Sequence, residues 1–233
     1  MPARHEAEEA EENLRVIRSL MEKATVYRAI SAPGALLGGV LSIATASVGA
    51  GASFFGASFG EPDYTQEKYF LIPWLTLLCI TAAANGFLLW RDAKKRGDAF
   101  ISPGMKLVLS AMFPGMAAGG LFLFILPVCG IPILACSWVL CYGISLLAAA
   151  PFAPGSIRRL GQLFFGAGAA LFVFGFLSSP SLQGIDYGLR RPGDLHLYPL
   201  VFAHLVMGST FGLFHLAYAA CAWPRRIRGE TVR

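Results

Sequence analysis

Six stretches of this chain, each about as long as a membrane is thick, contain no Asp, Glu, Lys or Arg. They run over roughly 30–58, 69–90, 107–126, 131–150, 160–179 and 198–223. A helix rising 1.5 Å per residue needs about 20 mostly apolar residues to cross a bilayer core. Composition agrees. Apolar residues make up 55% of the 233 and charged residues only 14%, against roughly 25% charged in an ordinary soluble domain. The mean hydropathy is +0.58. Intrinsic disorder, which needs low hydrophobicity and high charge, is excluded, and so is a soluble enzyme of ordinary build. The expected fold is all-α: a polytopic membrane protein of six transmembrane helices. It divides into an N-terminal amphipathic cytoplasmic helix over 1–28, a transmembrane domain over 29–223 and a basic tail over 224–233.

Charge asymmetry gives the expected orientation. With the N-terminus inside, 16 of the 19 basic residues fall in inner segments, and only Lys68, Arg190 and Arg191 fall outside. Basic residues concentrate on the cytoplasmic side of membrane proteins, so both termini are expected in the cytoplasm. The net charge of +5 calls for no nucleic acid, because the basic residues sit where anionic lipid headgroups lie. The bilayer is the expected partner, together with further membrane subunits or a second copy of the chain.

The first 28 residues open with clustered glutamates, unlike the basic and then apolar start of a signal peptide. Ala7, Ala10, Leu14, Ile17, Met21 and Ala24 recur at spacings of three and four, which draws one apolar stripe along a charged helix. Leu14, Ile17 and Met21 are the candidate docking residues. The stripe has three candidate covers: the protein's own loops, another subunit, or the membrane surface. The glutamates count against the last, since anionic lipid repels them.

Small residues recur inside the spans. Gly34 and Gly38, Gly115 and Gly119, and Gly208 and Gly212 are each four apart, and the fifth span carries Gly161, Gly166, Gly168 and Gly175. Such spacing lets helix backbones approach closely where lipid gives no hydrophobic drive to association. Close internal packing is the expected use and a dimer face the alternative. Pro33, Pro73, Pro114 and Pro199 are read as lying near span starts, where a missing N–H costs least. No mid-membrane helix break is expected.

The inventory of chemistry is thin. The five cysteines form no C-x-x-C pair and are expected to act as small apolar residues. No phosphate-cradling, zinc-protease or dinucleotide motif is present, so no catalytic residue, metal ligand or cofactor is expected. Polar residues inside a membrane are the default functional candidates, and here they are Asn85, Gln162 at the start of the fifth span, His204 and His215. The two histidines are 11 residues apart on one helix, about 16 Å along its axis. His215 precedes Trp223 by eight residues, about 12 Å from the inner interface. It is expected to face the bundle interior and bond to Asn85 at similar depth, while His204 near the outer interface reaches water. A haem would need a second histidine across the bundle, which no other span supplies.

Residues 13–24 read NLRVIRSLMEKA and are followed by Tyr27 and a Gly-rich first span. This opening resembles that of a group of uncharacterised bacterial multi-pass inner-membrane proteins, whose N-terminal helix has the form NLRxIRxxMERA. Gly212, His215 and Tyr218 match the group's closing GGLHIxYG, with Ala219 in place of its last glycine. The resemblance implies a bacterial inner-membrane protein and supplies no activity, substrate or cofactor. The reading from sequence is a non-enzymatic accessory subunit, scaffold or regulator of a membrane complex. A small-solute permease or channel is the alternative, and an intramembrane redox protein a further one.

Overall fold

The computed structural model describes residues 9, 11–16, 32–58, 67–97, 100–101, 103–153, 155–177 and 199–227. These residues are almost entirely helical, with no strand among them. The helices are α1 (Ala32–Ser58), α2 (Lys68–Arg96), α3 (Pro103–Leu121), α4 (Leu126–Ala149) and α5 (Gly155–Leu177). A last continuous run comprises α6 (Pro199–Met207), a π-helical segment (Gly208–Phe214) and α7 (His215–Ile227). Six of these runs are long and apolar enough to span a membrane, which agrees with the six stretches read from sequence. Residues 11–16 are helical. The rest of the expected N-terminal helix, including Ile17 and Met21, lies outside the described residues.

Helix ends follow local chemistry. α2 runs on past its apolar part through Arg91, Lys94 and Lys95 and stops at Gly97, whose φ of 73° closes the last turn in the left-handed conformation. That conformation costs glycine nothing. α3 tightens into a 3-10 turn at Phe122–Ile125 before α4 begins. Gly130, at φ 75° and ψ 167°, then breaks the start of α4 just before Pro132. Proline placement is less confined to span starts than the sequence suggested, since Pro114 lies well inside α3. The main irregularity, the π segment at mid-span six, has no proline at all.

α4 is the central helix, with 67% of its apolar window buried, against 11% for α2. It packs on α3, α5 and α6, while α1 packs along the whole of span six and α2 leans on α1. Close backbone approach is what holds these pairs. A Cβ on Gly168 would lie 2.6 Å from the backbone of Leu140, and one on Gly143 would strike the backbone at Phe164 and Phe165. The α1 contact with span six uses Gly39, Gly49, Gly208 and Gly212. Of the three pairs read from spacing, Gly208 and Gly212 pack on α1 and Gly115 and Gly119 on α4, whereas Gly34 and Gly38 line an open cleft.

One pair of neighbours stays apart. α2 and α3 follow each other in sequence, yet they make no extended contact.

Candidate functional site

The space between α2 and α3 is a cavity of about 590 Å³ whose walls come from all six spans. α3 lines it from Met105 to Leu123, an axial length of about 27 Å. It begins at the end of the bundle that carries Arg91, Lys94, Lys95, Arg158 and Arg159, here called the basic end. At the opposite end it stops against aromatic side chains. Phe70 sits with its ring 6.0 Å from that of Trp138, 6.1 Å from Trp74 and 5.2 Å from His204. These four rings join α2, α4 and α6, and Trp74 and Trp138 among them line the cleft. Among the described residues no Asp, Glu, Lys or Arg lines it.

Polar groups gather on its inner wall. His215 begins α7, directly after the π segment, and its Nδ1 lies 2.8 Å from the Phe211 carbonyl oxygen. A carbonyl only accepts, so Nδ1 carries the proton and donates it. Nε2 of the neutral ring is then bare, and the Tyr142 hydroxyl, 3.1 Å away on α4, donates to it. Aromatic rings enclose the pair: Phe164 lies 4.8 Å from the Tyr142 ring and 5.4 Å from the His215 ring, and Phe211 stacks on His215 at 6.1 Å. Both Tyr142 and His215 line the cleft.

The partner of His215 therefore differs from the expected one. Asn85 is exposed and lines the same cleft from α2, on the side that stands away from α3. Both residues line the cleft, and the bonds of His215 go to Tyr142 and Phe211 instead. His204 is also corrected. Rather than reaching water, it is wholly buried, and its Nδ1 accepts a hydrogen bond of 3.1 Å from Trp74 Nε1. Its protonated Nε2 has no partner among the described residues. The ring fits because Gly49 on α1 leaves room for it; a Cβ there would overlap the imidazole.

Tyr142 and Trp74 were missed from the sequence. For Tyr142 a signal was available, since Tyr concentrates at membrane interfaces and this one lies well inside its span, whereas Trp74, six residues into its span, carried none. An aromatic with a polar tip at that depth needs a partner. Of the cysteines, Cys136 and Cys141 are buried as small apolar residues are, while Cys79 and Cys221 are exposed. Among the described residues no group of three His, Cys, Asp or Glu could hold a metal. Leu14 is 66% exposed.

Compared with known protein families, curated proteins and solved structures, the chain matches none.

Proposed function

We propose that this chain is a non-enzymatic multi-pass membrane protein that holds a small, lipid-like molecule taken from the bilayer into the cleft between α2 and α3. The cleft itself carries the reading: about 590 Å³, free of charged side chains among the described residues, between two sequential spans that do not pack together. Ligand sites are commonly concave, mostly apolar and a few hundred Å³ in size, with a few converging polar groups.

The setting we propose is the inner membrane of a bacterium, with the basic end and both termini on the cytoplasmic side. The charge distribution and the resemblance of residues 13–24 and 212–218 to the bacterial group support it. A second reading, that the protein serves a larger complex as an accessory subunit, draws support from Leu14, an exposed leucine on the apolar stripe of the N-terminal segment. The two readings are compatible, since a subunit can bring a bound lipid to its complex.

Extraction and mass spectrometry of lipids retained by the purified chain test the binding role. Gly120 lines the cleft with open space beside it, so Gly120→Trp fills the cleft without displacing packed atoms. A lipid enriched on the wild-type chain and lost from Gly120→Trp is the expected result. Equal lipid content in both proteins sinks the reading.

A further inference from the structure

The proton positions at Tyr142 and His215 specify the head group that the cleft selects, an inference that rests on the binding role just proposed. Phe211 O takes the Nδ1 proton of His215, and the bare Nε2 takes the hydroxyl proton of Tyr142. The phenol oxygen thus meets the cleft as an acceptor. A ligand that offers Tyr142 only an acceptor, such as an ester or a ketone, would have to turn the Tyr142 proton away. That would strand Nε2 among the rings of Phe164 and Phe211, and an unpaired buried acceptor is costly. A ligand hydroxyl meets no such obstacle, because it donates to Tyr142 and leaves the existing bonds intact. A charged head is disfavoured for a different reason: among the described residues no Asp, Glu, Lys or Arg lines the cleft to compensate a phosphate, carboxylate or ammonium out of water.

Depth and size agree with one bound chain. Asn85 precedes Arg91 by six residues, about 9 Å, and His215 precedes Arg225 by ten, about 15 Å. Asn85 thus lines the cleft on the basic-end side of the His215 level. From that level the apolar walls continue toward Trp138, and a single leaflet's hydrocarbon is about 15 Å deep.

We propose that the cleft binds an uncharged lipid with a hydroxyl head, its hydroxyl donating to Tyr142 and its chain running along α3 toward Trp138. The test uses the purified full-length chain and three photoactivatable probes with one palmitoyl chain in common: the 1-monoacylglycerol, the methyl ester and the free fatty acid. The monoacylglycerol should label α2 and α3 about threefold to tenfold more strongly than the other two, the range one hydrogen bond supplies. An excess of unlabelled monoacylglycerol should compete it away. Tyr142→Phe should abolish the preference for the monoacylglycerol over the ester within the same protein. If the ester labels the wild-type cleft as strongly as the monoacylglycerol, or the preference survives Tyr142→Phe, the head assignment fails while the cleft stands as a binding site. If no probe labels the cleft in a way that unlabelled lipid competes, the binding role fails as well. The comparison of probes on the wild-type chain decides the matter even where Tyr142→Phe does not fold.

Discussion

Tyr142 on α4 donates its hydroxyl proton to Nε2 of His215 on α7 across 3.1 Å, inside a shell of phenylalanine rings. This bond ties the central helix to the last span at the wall of the cleft. In a membrane, bonds between helices average about 0.6 kcal/mol and reach about 1.7 kcal/mol, since the alternatives also find partners.

A double-mutant cycle measures that bond. Tyr142→Phe and His215→Leu should each lower the melting temperature in detergent, and together they should cost less than their sum by about 0.5–2 kcal/mol. Asn85→Leu should stay within about 0.5 kcal/mol of wild type, because Asn85 is exposed. Coupling of His215 to Asn85 as large as its coupling to Tyr142 would contradict the geometry.

The second histidine behaves differently under substitution. His204→Leu orphans the Trp74 indole N–H, and Trp74→Phe orphans His204 Nδ1. Each single change should cost about 1–3 kcal/mol, whereas the double change removes both polar groups together and should cost less than the two combined. Thermal unfolding of the four proteins reads this out, and strictly additive losses would mean that the Trp74–His204 bond contributes nothing.

Glycine substitutions should rank by what each new methyl meets. Gly143→Ala and Gly168→Ala push against the backbone of the opposing helix and should destabilise by about 1–3 kcal/mol or more. Gly166→Ala meets open space and should stabilise by up to about 1 kcal/mol through helix propensity. Gly49→Ala strikes the His204 imidazole, a side chain that can be removed. His204→Ala should therefore restore much of the stability lost in Gly49→Ala, an outcome absent if Gly49 matters only for its backbone.

Orientation is checked by labelling single cysteines placed at Asp92, Lys94 or Lys95 in a cysteine-free background. An impermeant thiol reagent should reach them only from the cytoplasmic face, as the 16-to-3 distribution of basic residues requires. Modification of these positions from the opposite face reverses the topology.

What the sequence determined here is local. A run of about 20 residues without charge crosses a membrane regardless of its neighbours, so the count of six spans follows from each stretch alone. The stop of α2 at Gly97 is equally local, because one residue's φ decides it. Depth along a span is also readable at 1.5 Å per residue, and on that count His215 lies inside the last span.

Only the tertiary structure decided which partner it took. Tyr142 precedes Ala149 by seven residues, about 10 Å from the basic end, so it and Asn85 were equally eligible by depth. The choice fell to lateral packing, which sets α4 against span six and leaves α2 standing away from α3. The π segment adds a further twist. Over Gly208–Phe214 the helix departs from 3.6 residues per turn, so the face that carries His215 is not the one a straight helix would give. His204 shows the same division: its position near a span end suggested water, but Phe70, Trp74 and Gly49 from two other helices enclose it. Axial position is written in the chain, whereas the arrangement of helices around one another emerges from how small residues on distant segments fit together.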